Sequence, residues 1–181
     1  ENQNLSQHQN YLLSKGELSM PTAIFCGAFD PVTNGHMDLI ERASKLFDQL
    51  YVFVAPNSEK HQVFTAERRL AWLEQACIPY KNVSCRIQKG LTVDAAKSVH
   101  AKYLIRGMRN SQDFEYELNM AAMNRSIDDS IETICLFTKP EHMFCSSSNV
   151  RELLRYHLDI SAFVPDCVRM DLKGGYHENI E

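Results

Sequence analysis

Four stretches of this chain place residue types suited to holding phosphate where a strand hands over to a helix. The first is Cys26-Gly-Ala-Phe-Asp-Pro-Val-Thr-Asn-Gly-His36. Its glycines at 27 and 35 let a backbone approach a ligand closely, and His36 falls in the first turn of the helix that follows. Free N–H groups and the positive end of the helix dipole gather there, which suits a phosphate. A histidine in that place can donate a hydrogen bond and gain charge as negative charge develops. The phrase is neither a G-x-G-x-x-G dinucleotide fingerprint nor a G-x-x-x-x-G-K-[ST] loop. On its own the Gly-His pair also reads as a turn followed by a surface histidine. Asp30 and Pro31 read as turn formers, with the Asp side chain tying down backbone N–H groups.

The second stretch, Pro56–Val63, contributes Lys60, either a phosphate clamp or a solvated loop lysine. The third, Ile105-Arg-Gly-Met-Arg-Asn110, sets Arg106 and Arg109 about a glycine at the expected carboxyl end of a strand. Two guanidiniums so placed suit bidentate phosphate contacts. They equally suit neutralising Asp113, Glu115 and Glu117 on the next helix. The fourth, His142-Met-Phe-Cys-Ser-Ser-Ser148, offers hydroxyls and free N–H groups at a loop-to-helix boundary, and serines there also serve as plain N-caps.

These loops need a scaffold, and the hydropathy pattern supplies one. Strand candidates lie at Thr22–Cys26, Leu50–Ala55, Val83–Gln88, Tyr103–Arg106 and Ile131–Phe137, and most are near-continuous apolar runs, as expected of parallel strands covered on both faces. Helical patterns lie between them. His36–Phe47 presents Met37, Ile40, Ala43 and Phe47 on one face. Ala66–Ala76 follows Thr65 as cap, with Arg68 on the polar side. Val93–Ala101 comes next, Phe114–Ile127 follows Asp113 as cap, and a last helix starts near Ser147 with Val150, Leu153 and Leu154 inward. Alternation of this kind predicts an α/β fold, a doubly wound five-stranded parallel sheet with flanking helices. Ligands then bind beyond the strands' carboxyl ends, where all four stretches lie.

The 181 residues fit one domain. Residues 1–19 are polar, lack the pattern of a signal peptide, and read as an extension or appended leader before Met20, leaving 20–181 as the folded unit. With 44% hydrophobic and 23% charged residues the chain has a globular composition, and no apolar run is long enough to span a membrane. Six cysteines without a C-x-x-C pair, three of them in apolar runs (Cys26, Cys85, Cys135), predict free buried thiols and a reducing, cytoplasmic compartment. A net charge of −4 argues against nucleic acid or anionic membrane as partner. That total hides an uneven distribution: residues 81–109 carry seven basic groups and one acid, and residues 110–135 one basic group and six acids. Cations are thus concentrated just ahead of Asn110, as a small polyphosphate requires.

The phrase G-x-F-D-P-x-T-x-G-H resembles the signature of the nucleotidyltransferase superfamily, whose [TH]-x-G-H element is Thr33-Asn34-Gly35-His36 here. Together with R-G-M-R-N, D-F-E-Y-E and the S-S-S-x-V stretch, residues 21–168 closely resemble the phosphopantetheine adenylyltransferase family of coenzyme A synthesis. That resemblance implies a Rossmann-like sheet, a homohexamer, ATP with Mg²⁺, 4′-phosphopantetheine as acceptor, dephospho-coenzyme A as product and feedback by coenzyme A. It implies that His36 stabilises the transition state at the α-phosphate and that Lys60 holds the reacting phosphates. It assigns Ala28, Lys60, Thr92 and Arg106 to the acceptor. It assigns Ala28, Phe29, His36, Gly107, Met108, Arg109, Glu117 and the run His142, Met143, Phe144, Cys145, Ser146, Ser147 and Ser148 to ATP.

Two positions depart from the family pattern. Ala28 stands where the family has Thr or Ser, which removes a hydroxyl contact to the acceptor phosphate, a bond to a charged group worth about 1.5–3 kcal/mol. Cys145 replaces an apolar branched residue, a tolerable packing change. The reaction so implied is direct attack of the acceptor's phosphate on the α-phosphorus of ATP with release of pyrophosphate. The substrate brings its own nucleophile, so Ser146–Ser148 need not act as one, and catalysis rests on positioning and electrostatics. Mg²⁺ would travel on the phosphates, since no cluster at metal-ligand spacing occurs in the sequence. Two other readings stay open at this point: a related transferase with another phosphorylated acceptor such as nicotinamide mononucleotide, and a non-catalytic nucleotide-binding module, for which Ala28 is the only sign.

Overall fold

The structure, a computed structural model, describes residues 21–55 and 62–173. Lys60 and the polar stretch 1–19 lie outside the described residues. The chain runs β1 (Thr22–Gly27), α1 (Asn34–Ser44), β2 (Gln49–Val54), α2 (Ala66–Cys77), β3 (Val83–Ile87), α3 (Thr92–Ser98), β4 (Tyr103–Met108), α4 (Ser111–Ile127) and β5 (Glu132–Phe137). A 3₁₀ turn (Pro140–His142), α5 (Ser147–Arg155) and α6 (Asp166–Asp171) complete it. All strand pairs are parallel and the sheet order is β3-β2-β1-β4-β5, the doubly wound sheet that the alternation predicts. The direction of winding reverses between β1 and β4, so their carboxyl ends flank the crevice where such folds take ligands.

Side-chain alternation along each strand divides the core in two. Ala23 and Phe25 of β1, Leu50, Val52 and Val54 of β2, and Ile105 of β4 join the larger cluster with residues of α1, α2, α5 and α6. Ile24, Cys26, Phe53 and Leu104 point the other way, onto Val93, Ala95 and Ala96 of α3. The six cysteines are free thiols. Cys85 and Cys135 are only half-buried, because β3 and β5 are the two edges of the sheet.

Several boundaries differ from the sequence reading. Helix α1 begins at Asn34, with Thr33 as its cap. Helix α4 begins at Ser111, and its cap is Asn110, whose side-chain oxygen accepts the Asp113 N–H at 2.9 Å. Asp113 is thus not the cap; its carboxylate is engaged by the Arg109 N–H, also at 2.9 Å. Strand β4 does not end at Arg106 but continues to Met108, with Gly107 opposite Leu136. Gly107 is there for clearance: a Cβ would sit 2.4 Å from Leu39 Cδ1. Helix α6 had no sequence expectation. It docks on α2 through Asp171, which accepts from Arg68 Nε and Trp72 Nε1, both at 2.9 Å.

Arg69, one residue past the exposed Arg68, is almost completely buried. Its guanidinium donates to the carbonyls of Phe64 (3.0 Å), Ala28 (2.5 Å) and Ala55 (3.3 Å) and to Gln62 Oε1 (2.7 Å). Asp30 makes the complementary tie, accepting the N–H groups of Val63 and Phe64 at 2.9 Å. One buried cation and one buried carboxylate therefore fix the loop after β1 against the segment entering α2. Replacing Arg69 with Leu strands several buried acceptors at once, and we expect about 3 kcal/mol lost from the unfolding free energy, read by urea denaturation.

Candidate active site

The crevice beyond β1 and β4 holds two adjoining cavities that share Cys26, Gly27, Ala28, Arg106, Tyr116 and Glu117. The first, about 360 Å³, is walled by Phe29, Gly35, His36, Gly107, Arg109, Asp113 and Cys145–Ser148. The second, about 430 Å³, opens between α3 and α4 and includes Gln88, Thr92, Met120, Ala121, Met123 and Asn124. Most residues singled out in the sequence meet here. Met108, His142, Met143 and Phe144 line neither cavity, and Phe144 is 75% exposed.

Local chemistry aims His36 at the first cavity. It is the third residue of α1, and its ring nitrogen Nδ1 accepts the backbone N–H of the capping residue Thr33 at 3.1 Å. Thr33 Oγ1 accepts the His36 N–H in return and donates to the Cys145 carbonyl at 3.2 Å. With Nδ1 acting as acceptor, the neutral ring carries its proton on Nε2. Phe29 packs edge-on against the imidazole with centroids 5.0 Å apart. Phe29 itself sits at φ 48°, a left-handed backbone costing on the order of 1 kcal/mol. Gly27 makes room for it, since a Cβ there would lie 3.0 Å from the Phe29 ring.

Burial, and then the charges of Arg109 and Arg106, hold the His36 pKa down to about 4. This histidine is a neutral hydrogen-bond donor: burial denies a charged ring its solvation, and the two nearby arginines add to the effect.

Arg106 is gripped from two sides. Nε and Nη2 donate to the two carboxylate oxygens of Glu117 at 2.6 Å each, and Nη1 donates to the Cys26 carbonyl at 2.7 Å. Burial works against its charge, but the Glu117 hydrogen bonds and charge outweigh it, and the guanidinium pKa is raised. Arg109 pairs with Asp113 at 3.2 Å. The neutralising role of the acidic helix is therefore present, and it leaves the arginines facing the cavities with a fixed orientation. Both carboxylates are committed to arginine, and among the described residues no group of three His, Cys, Asp or Glu could hold a metal ion.

The serines divide their work. Ser146 caps α5 by accepting the Asn149 N–H at 3.1 Å, Ser147 donates to the Pro31 carbonyl at 2.9 Å, and Ser148 accepts from Arg151 at 3.2 Å. Gly35 lets this loop close on α1, since a Cβ there would meet the Cys145 carbonyl oxygen at 3.1 Å. Cys26 lies in both cavity walls, but burial pushes its thiol up to about 12 despite Arg106 and the Thr92 hydroxyl, so it is no nucleophile at neutral pH.

Sequence reasoning missed Arg69, Gln88 and Arg151. Arg151 reaches back from α5 to donate to the Asp30 carbonyl at 2.6 Å. Gln88 is buried, and among the described residues its Oε1 is a side-chain oxygen shut off from water without a hydrogen-bond partner.

Residues 24–153 match the cytidylyltransferase-like family. A crystal structure from Vibrio parahaemolyticus, assigned as a nicotinate-nucleotide adenylyltransferase, superposes with a TM-score of 0.64 at 19% identity, covering 84% of this chain and 97% of that one. Sheet order, histidine-bearing helix terminus and family match together define a cytidylyltransferase-like nucleotidyltransferase fold. The phosphopantetheine adenylyltransferase of Levilactobacillus brevis is 46% identical over 82% of this chain and 92% of its own length. That of Streptococcus agalactiae serotype Ia is 49% identical over 81% and 91%, and that of Alkaliphilus metalliredigens 43% identical over 82% and 95%. The chain belongs to the phosphopantetheine adenylyltransferase family.

The depressed His36 pKa has a measurable consequence. A histidine has an ordinary value of 6.5 and this one is held to about 4, so the unfolded chain takes up the proton first as pH falls. Stability should be full above pH 6.5 and decline from there towards pH 4. We expect the His36 ring signal in a proton NMR titration to move with a midpoint near 4, and the decline in stability over that window to be smaller in His36→Asn.

Proposed function

We propose that this protein transfers the adenylyl group of ATP to 4′-phosphopantetheine, forming dephospho-coenzyme A and pyrophosphate. The observation that carries this reading is the pair of cavities meeting at Arg106, one with a helix terminus and a serine loop suited to a triphosphate, the other larger and partly apolar, suited to an extended acceptor. Family membership supports the same reaction.

An oxygen of the acceptor's phosphate attacks the α-phosphorus in line. The new P–O bond forms as the bond to the β-phosphate oxygen breaks, and pyrophosphate leaves with the electron pair. Arg106 and Arg109 bring the two anions together, and Lys60 takes part in holding the reacting phosphates. His36 donates Nε2–H to a non-bridging α-phosphate oxygen, where charge builds in the transition state. Because Thr33 holds Nδ1, the donor is oriented before the substrates arrive, which is what makes such a dipole effective. The Ala28 and Phe29 N–H groups stand in for the hydroxyl that Ala28 lacks. Gly107, Met108, Glu117 and the run 142–148 complete the ATP side, and Thr92 adds a hydroxyl on the acceptor side. Mg²⁺ enters as part of the ATP substrate, because the carboxylates facing the first cavity are already paired with arginine.

Coenzyme A carries the same pantetheine arm as the acceptor and would compete for the second cavity, giving feedback. A homohexamer is supported by apolar side chains exposed on α4, including Phe114 (52%), Leu118 (58%) and Met123 (55%), more than a surface helix leaves to water. The compartment we infer is the cytoplasm, on the free thiols; among the described residues no helix is long and apolar enough to cross a membrane.

Purified protein given ATP, Mg²⁺ and 4′-phosphopantetheine should release pyrophosphate, and nicotinamide mononucleotide should not replace the acceptor. His36→Ala should lower kcat by about 10²–10³ with little change in the KM for ATP, as for loss of one oriented donor; full activity in that variant would remove His36 from the mechanism. Ala28→Thr should lower the KM for 4′-phosphopantetheine by about tenfold, the equivalent of one hydrogen bond to a charged group. An unchanged KM would mean that the backbone N–H groups suffice.

A further inference from the structure

The second cavity contains a polar group that nothing above employs. Gln88 follows β3, and its backbone N–H donates to the Val54 carbonyl at 2.8 Å, which anchors it beside the carboxyl end of β2. Its side chain is not free to turn either: Nε2 donates to the Gly90 carbonyl at 3.0 Å. Gly90 takes φ 76° to present that carbonyl, and Asp94 fixes the same turn by accepting the Leu91 N–H at 3.1 Å. The carboxamide is thereby oriented by its nitrogen end. Its oxygen end is left without a donor, at a residue 8% exposed in the cavity wall.

Buried carbonyls without partners are rare, because shutting such a group away from water forfeits a hydrogen bond. A ligand can supply the missing donor. The neighbours narrow its chemistry: Arg106 sits at the end shared with the first cavity, and Met120, Ala121 and Met123 form an apolar flank. A molecule matched to this wall carries an anionic head, an N–H in its stem and a soft apolar remainder.

We propose that Gln88 is a specificity-determining residue of the acceptor site, its Oε1 accepting a hydrogen bond from an amide N–H of the pantetheine arm. The assignment rests on the acceptor proposed above. It makes a distinction which phosphate recognition cannot: a phosphorylated acceptor of equal length without the amide N–H would leave Oε1 unpaired and be rejected.

The test uses 4′-phosphopantetheine and two ester analogues, each with one amide N–H replaced by oxygen, in the pyrophosphate-release assay with the full chain. Wild-type protein should lose about tenfold in kcat/KM with one of the two esters, the effect of one unmet hydrogen bond. Gln88→Met should lose a similar factor with the natural acceptor, keep its KM for ATP, and no longer discriminate against that ester. Gln88→Glu, which retains an oxygen at the same place, should still prefer amide to ester. Equal use of amide and both esters by wild-type protein would overturn the proposal, as would losses that simply add in Gln88→Met. Should Gln88→Met fail to fold, the wild-type and Gln88→Glu comparisons decide by the same criteria. No pyrophosphate from wild-type protein with the natural acceptor would instead refute the proposed reaction, a separate and recognisable failure.

Discussion

The site depends on one half-buried guanidinium. Arg106 extends from the middle of the sheet's switch point, where β1 and β4 lie side by side, and binds three groups at once: both oxygens of Glu117 on α4 and the Cys26 carbonyl on β1. A charge partly withdrawn from water needs hydrogen-bond partners, and three of its five N–H groups have one. Meeting them joins the strand that begins the fold to the helix that closes the second cavity. The same side chain lines both cavities of the crevice. The planar fork is thereby held in one orientation at the walls of both cavities.

The rest of the site acts through that field. Burial first, and then the charges of Arg109 and Arg106, keep His36 neutral. The protein thus keeps an uncharged, oriented donor beside two fixed cations. The Thr33–His36 capping arrangement makes this possible, since the backbone N–H that would otherwise go unmet at the helix end holds the imidazole tautomer. Beneath it, Arg69 and Asp30 brace the loop after β1 against the start of α2. Catalytic geometry and fold stability therefore share the same few buried polar groups, and damage to one is expected to show in both.

Much of the fold was legible because the central strands, covered on both faces, leave apolar runs, while the edge strand β3, Val83–Ile87, carries a weaker alternating signal. All five strands are found within two residues of where those runs end. Caps were harder. Asn110 and Asp113 are both good caps by type, and only the contact between Asp113 and the Arg109 backbone decides that the helix starts at Ser111. In the sequence Gly107 is only the glycine between two arginines, whereas its place is set by Leu39, 68 positions earlier in the chain, pressing where a side chain would be. Arg69 carried no signal at all, since adjacent arginines on a helix look alike until packing buries one of them.

By itself, the sequence determined the alternation of strands and helices, the side of the sheet to which the reactive loops belong, and the residue types gathered there. Those follow from local hydropathy and from motifs only a few residues long. Tertiary structure decided which charges face one another. Glu117 is eleven positions from Arg106 and Cys26 eighty, so only the folded sheet could bring them together and turn an acidic helix into the partner of a cavity-lining arginine. It also decided that Gln88, an unremarked polar residue after a strand, lines a cavity with its nitrogen satisfied and its oxygen buried without a partner among the described residues. Hydrogen bonds between distant residues are settled by where the chain returns, and no window of sequence contains that information.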